Sequence, residues 1–300
     1  MGAAFLSAAN QGKNNWWRYG LGILLTAFFW IILGSIPLII WGLYHPEAIL
    51  TPSSTPITQV WQYAVVSLSF VFFLLGLFIT VRKIHQRRFL TLIQANAAVS
   101  IKRILQGAGV WAVLMGLSYG IEAIFFPGHF VFTFNAAWFI LVPIALVLTP
   151  IQSATEELFF RGYLLQGLGL LSRNRWILIG LTSIIFAVLH FGNPEVAASN
   201  SFIWIALHYF AFGAFFALTT LKDNTLELAI GSHIANNFFL ATLISPSVSV
   251  LNTPALITHT VIADAQIDFF LFLLQATLFY LIVFHRKPHK NKTGRRQRLP

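Results

Sequence analysis

Glu156, Glu157 and Arg161 lie inside one apolar run, Thr155-Glu156-Glu157-Leu158-Phe159-Phe160-Arg161. On a helix Glu157 and Arg161 stand at i and i+4, so they share a face and can pair. Pairing lowers the cost of burying both. Glu156 is turned by about 100° from Glu157 and is left for another partner. That makes it a candidate acid or base. Two further apolar runs carry polar groups: His190 closes Phe186-Ala187-Val188-Leu189-His190, and His233 and Asn237 stand at i and i+4 in His233-Ile234-Ala235-Asn236-Asn237. A carboxylate, an imidazole to assist it, and a second imidazole with an amide are enough to activate water and stabilise an oxyanion. No serine or cysteine nucleophile is required. A glutamate and two histidines can also ligate zinc. The chain has no H-E-x-x-H motif, and Arg161 beside the carboxylates opposes a cation, so the expectation here is no metal and no cofactor. A purely structural reading makes the same charges interhelical polar contacts.

The elements that position these groups must be membrane helices. The chain has 300 residues, of which 57% are hydrophobic and 9% charged, with mean hydropathy +0.75. A soluble domain is about 25% charged. A lone charge at the bilayer centre costs about 3 kcal/mol, so three within six residues imply a purpose. The fold class expected is all-α: a polytopic membrane helical bundle with about eight transmembrane helices. There is no cysteine, which excludes disulfides, thiolate zinc sites, cysteine nucleophiles and acylation. The net charge of +10 is read as cytoplasmic loops facing anionic lipid rather than as nucleic-acid binding.

Apolar runs long enough to span fall near residues 19–43, 60–81, 104–126, 137–171, 176–191, 202–221, 225–244 and 264–284. The first is too long for a signal-peptide core and is read as a retained helix. The fourth is over-long. Thr149-Pro150 reads as an N-cap followed by proline at the first helical position, so 137–148 is expected as a half-helix or interfacial segment and 150–171 as the true span. Residues 1–18 are then a cytoplasmic N-terminal segment, 19–285 an integral membrane domain with its motif core at about 137–245, and 286–300 a basic cytoplasmic tail. Lys and Arg follow spans two, four, six and eight and are missing after spans one, three, five and seven. Positive-inside bias therefore puts both termini in the cytoplasm of a bacterial-type cell membrane. The connection 84–103 reads either as an amphipathic surface helix or as a solvated loop with basic anchors.

Depth along the helices permits the polar groups to meet. His190 lies 15 residues past Arg175 and Glu156 lies 16 before Ser172, which puts both roughly 22–24 Å from that turn. His233 and Asn237 stand 9 and 13 residues past Asn224, at roughly 14–20 Å. Gly231-Ser232 allows close helix packing there. Glu122, Asp264 and Asp268 fall outside the motifs and are expected in interfacial or structural roles. His208 is expected in helix packing, and Asp223 and Glu227 as caps at a cytoplasmic turn.

The ordered trio, E-E-x-x-x-R at Glu156–Arg161, F-x-x-x-H at Phe186–His190 and H-x-x-x-N at His233–Asn237, resembles the CPBP family. These are the CAAX proteases and bacteriocin-processing enzymes, also called Abi, which are intramembrane glutamic-type endopeptidases. The resemblance implies an eight-span, all-helical, CAAX-protease-like fold with a cavity between spans. It implies that Glu156 and His190 activate the attacking water, and that His233 and Asn237 form the oxyanion hole. Glu157, Arg161 and Phe186 would support the site, with no catalytic metal. The partners expected are membrane lipid and a peptide or membrane-protein substrate, not nucleic acid. The resemblance leaves the substrate open, prenylated or not. Two other functions fit the same residues: a non-catalytic scaffold or bacteriocin-immunity-type protein that binds a peptide in the cavity, and a transporter or proton relay. The missing inverted repeat opposes the last.

Overall fold

The computed structural model describes residues 2–46, 55–95, 98–262 and 264–285. The basic tail expected at 286–300 lies outside the described residues. A short helix α1 (Ala3–Ser7) runs into a 3-10 turn. Then come α2 (Trp16–Tyr44), α3 (Pro56–Ile84), α4 (Ile101–Phe125) and α5 (Trp138–Leu171). They are followed by α6 (Arg175–His190), α7 (Pro194–Ala198), α8 (Phe202–Asp223), α9 (Glu227–Thr242) and α10 (Ala265–Phe284). Each of the eight expected runs is helical. Six helices (α2, α3, α4, α5, α8 and α10) are long and apolar enough to cross a membrane. The other two, α6 and α9, have 16 residues each, or about 24 Å, short of a hydrocarbon core of about 30 Å. These two carry His190 and His233.

Local sequence sets the helix starts. Thr55 caps α3 ahead of Pro56, and its side chain accepts from the Thr58 N–H. Ser100, Asn174 and Asp264 accept in the same way at the starts of α4, α6 and α10. α8 stops at Asn224, whose φ of 63° is left-handed, and the chain turns straight into α9. That helix packs against α4 and α5, and α6 packs against α8. The α4–α9 contact is close enough that a Cβ on Gly231 would overlap the Ile104 carbonyl, and one on Gly107 the Leu228 carbonyl.

The break expected at Thr149-Pro150 is absent. α5 runs unbroken through Pro143 and Pro150. Thr149 is buried and pairs with the Tyr63 hydroxyl at 2.6 Å instead of capping a new helix. Neighbouring helices supply such partners in a membrane, which is why proline is tolerated there. The irregularity falls later, where Leu158–Leu164 is wound as a π-helix immediately after Glu157.

Residues 85–95 form neither a surface helix nor a solvated loop. They make one 3-10 turn, Phe89–Leu92, with His85, Arg87 and Leu92 buried. The His85 ring bridges the Lys13 carbonyl (2.8 Å) and the Tyr163 hydroxyl (2.9 Å), and Arg87 donates to Gln166 at 2.9 Å. The N-terminal segment joins this layer, with Phe5, Ala8 and Ala9 fully buried. The Lys13 N–H donates to the His85 carbonyl and the Leu226 N–H to the Ile93 carbonyl. Arg18 reaches the Ile84 carbonyl and Arg103 pairs with Asp223. Glu227 accepts from the Ser100 N–H at 2.6 Å, so it serves the start of α4 rather than capping its own helix. The basic loops are thereby drawn together at one end of the bundle.

At the other end, β1 (Phe130–Phe132), β2 (Ile244–Pro246) and β3 (Ile257–His259) form a small sheet in the order β1-β3-β2, antiparallel then parallel. The bundle core is aromatic, with Phe73, Trp111, Tyr163, Phe186, Phe216 and Phe279 all buried. The outward faces carry exposed Leu24, Leu105, Ile124, Val147 and Leu274. So continuous an apolar exterior is the surface of an integral membrane protein.

Candidate active site

α5 presents Glu156, Glu157 and Arg161; α6 brings Phe186 and His190; α9 brings His233 and Asn237. α8 closes the back with Tyr209, Phe212 and Phe216. Glu157 and Arg161 are both fully buried, and Glu156 and His233 nearly so. Arg161 Nη1 donates to Glu157 Oε1 at 2.7 Å, as the i, i+4 spacing requires, and Nη2 donates to the Gly213 carbonyl at 3.1 Å. Its guanidinium carbon lies 4.6 Å from the Phe186 ring centre and 5.2 Å from that of Phe216. Aromatic faces attract a desolvated cation, and this gives Phe186 its place beside the arginine.

His233 Nδ1 lies 2.8 Å from Glu157 Oε1, and its Nε2 lies 3.9 Å from Glu156 Oε2. The ring stacks on Phe216 at 4.9 Å. A carboxylate that already accepts from Arg161 accepts again here, so Nδ1 carries the proton and Nε2 faces Glu156. Glu156 Oε2 is buried and has no hydrogen-bond partner among the described residues. His190 Nδ1 lies 2.7 Å from the Phe186 carbonyl. A carbonyl only accepts, so Nδ1–H is the donor and Nε2 of the neutral ring keeps its lone pair. The His190 ring lies 4.2 Å from that of Phe186, centre to centre. Asn237 Oδ1 accepts from Asn236 at 3.1 Å, leaving the Asn237 amide N–H groups to donate elsewhere; Asn236 itself is held by the Trp111 N–H at 3.2 Å.

A second set of residues borders the site and was not singled out from the sequence. Tyr209 lies against His190 with the rings tilted and their centres 4.8 Å apart, and its hydroxyl donates to Glu195 Oε1 at 2.7 Å. Asn193 donates to both, and Glu195 Oε2 accepts from the Val250 N–H at 3.0 Å. The available signal was a polar pair, Asn193 and Glu195, within five residues of His190 in an otherwise apolar stretch. His208, by contrast, packs between Phe212 and Phe272 as expected.

Three polar motifs in this order, on buried helix faces of a membrane bundle, are those of a protease family: the chain belongs to the CAAX protease (CPBP) family. The family model described as Type II CAAX prenyl endopeptidase Rce1-like matches residues 134–239, a stretch that holds all seven motif residues. The chain is also 32% identical over 295 residues, 94% of its own length and 96% of the other, to the "Uncharacterized protein YyaK" of Bacillus subtilis (strain 168). No solved structure matches it.

Proposed function

We propose that the protein is an intramembrane endopeptidase that hydrolyses a peptide bond of a membrane-associated protein or peptide with a water activated by Glu156 and His190. The observation that carries this reading is the buried Oε2 of Glu156, which has no hydrogen-bond partner among the described residues and lies 3.9 Å from His233 Nε2. Glu156, assisted by the lone pair of His190 Nε2, takes a proton from water as the oxygen attacks the scissile carbonyl carbon. The carbonyl π electrons move to oxygen, and His233 Nε2–H and the Asn237 amide donate to that oxyanion. When the C–N bond breaks, the proton held by Glu156 passes to the departing amine, giving a carboxylic acid and an amine. His233 Nδ1 already donates to Glu157, so donation from Nε2 requires the doubly protonated ring. Glu157, Arg161 and Phe186 position this ring and do not meet the substrate.

The exposed Arg82, Lys83 and Arg88 lie at the end where the N-terminal segment docks. This supports the orientation with both termini in the cytoplasm of a bacterial-type cell membrane. Membrane lipid and a membrane-borne peptide segment are the partners that suit such a site. Comparative proteomics of cells carrying Glu156→Gln tests the whole reading. Membrane-protein termini present in wild type should vanish in the variant; identical terminal peptides in both strains would overturn it.

A further inference from the structure

We propose that Glu122, His129 and His259 form a divalent transition-metal site of the zinc class, at the end of the bundle opposite the basic loops. All three lie outside residues 134–239, the segment that the family match covers, and the inference does not depend on the catalytic reading. Glu122 is in the last turn of α4, and a 3-10 turn at Pro127–His129 folds His129 back toward it. β1 pairs antiparallel with β3, placing Phe130 opposite His259, and the Thr260 N–H donates to the His129 carbonyl at 2.9 Å. The small sheet thus delivers two imidazoles from distant parts of the chain to one carboxylate.

Glu122 Oε1 lies 2.9 Å from His129 Nδ1 and 2.8 Å from His259 Nε2. The three donor atoms all lie within 4.8 Å of one another. Zinc bonds imidazole nitrogen and carboxylate oxygen at about 2.0–2.2 Å in tetrahedral sites, which sets donors about 3.3 Å apart. Small side-chain rotations reach that spacing. The His259 side chain is 8% exposed, whereas those of Glu122 and His129 are 29% and 33% exposed. One ligand is therefore fixed in the protein while the other two open to an arriving ion. Phe126 stacks on His129 at 5.1 Å and Phe130 lies 5.0 Å from His259, which limits the rings to few orientations.

Charge balance points the same way. No Lys or Arg occurs between Arg103 and Arg161, or between Lys222 and Arg286. Those two segments supply the whole cluster. A carboxylate that pairs with two imidazoles, in segments without Lys or Arg, suits a bound cation. Imidazole donors select the zinc class over magnesium and calcium, which prefer all-oxygen shells.

The test uses the full-length protein in detergent, stripped with chelator and titrated with Co²⁺ as a visible probe, then with Zn²⁺. One Co²⁺ per chain should bind, with d–d absorption and no thiolate charge-transfer band, and Zn²⁺ should displace it. His259→Ala and His129→Gln should each weaken binding by at least the ~100-fold that loss of even an outer-shell partner can cause. Glu156→Gln should leave the binding unchanged. His129 is partly exposed, so its variant reads the same loss where His259→Ala does not fold. Three results would overturn the proposal: no saturable binding by wild type, binding that survives both histidine variants, or binding abolished by Glu156→Gln. In the first case the cluster is a hydrogen-bonded clip only.

Discussion

His233 Nδ1 lies 2.8 Å from Glu157 Oε1, the same oxygen that Arg161 Nη1 reaches at 2.7 Å. One buried oxygen therefore fixes an arginine on its own helix and an imidazole on another. It also fixes which imidazole nitrogen is left to face Glu156. The two adjacent glutamates are divided in this way: Glu157 joins α5 to α9, and Glu156 remains without a hydrogen-bond partner at Oε2 among the described residues.

Glu156→Gln should leave the fold intact and lower peptide-bond cleavage by about 10²–10⁴-fold, the usual contribution of a general base. Thermal melting in detergent checks the first half, and product formation from a membrane-borne substrate the second. Cleavage at the wild-type rate would refute the assignment of Glu156.

Glu157→Ala should instead unfold the site. It strands a fully buried Arg161 and removes the His233 anchor, and breaking a buried pair in this way costs about 3–5 kcal/mol. Adding Arg161→Leu should recover part of the stability but none of the activity. Denaturant midpoints of the single and double variants decide this. Equal loss in both would mean the pair is not the source.

Asn237→Ala should lower kcat by about 10²–10³-fold, as for a lost oxyanion donor, while thermal melting in detergent stays close to wild type. Product formation from a membrane-borne substrate measures the loss. Cleavage at the wild-type rate would remove Asn237 from the oxyanion hole.

His85 gives a stability test outside the spans. Burial holds its pKa below the usual value, the Lys13 carbonyl acts in the opposite direction, and Arg87 and Arg18 add to the lowering. A histidine depressed in the folded state contributes stability above its unfolded pKa, about 6.5. That contribution is lost as pH falls, because the unfolded chain takes up the proton first. The melting temperature should therefore drop more steeply below that pH in wild type than in His85→Gln. Parallel profiles would remove His85 from the account.

Gly231→Ala should destabilise by about 1–3 kcal/mol, the usual result of overpacking, because its methyl group would overlap the Ile104 carbonyl. Gly109→Ala on α4 meets nothing within 4 Å among the described residues and should be neutral. Melting temperatures of the pair measure the α4–α9 contact directly.

Hydropathy alone located the eight long helices among the described residues, because a membrane helix must be apolar over most of its length and its ends must be polar. The same rule misplaced the irregularity in α5. Thr149-Pro150 has the local chemistry of a helix start, but Tyr63 on another helix takes the threonine hydroxyl, and no local pattern contains that partner. The i, i+4 pair of Glu157 and Arg161 was legible for the opposite reason, since both members lie on one helix. The attachment of His233 to Glu157 was not, because periodicity says which side chains share a face and nothing about which oxygen a ring from another helix will meet. Tyr209 and Glu195 escaped for the same reason, as did the meeting of Glu122 with His129 and His259 through a three-residue strand.

The gathering of positive side chains at one end has a consequence for how the molecule is installed. Turning it over afterwards would drag Arg82, Lys83, Arg88 and their neighbours through hydrocarbon at about 2.5–3.5 kcal/mol apiece on insertion scales. Thermal motion does not supply that sum. Whichever leaflet first receives the cationic cap keeps it for the lifetime of the chain, and any molecule that must be processed has to come to that fixed geometry.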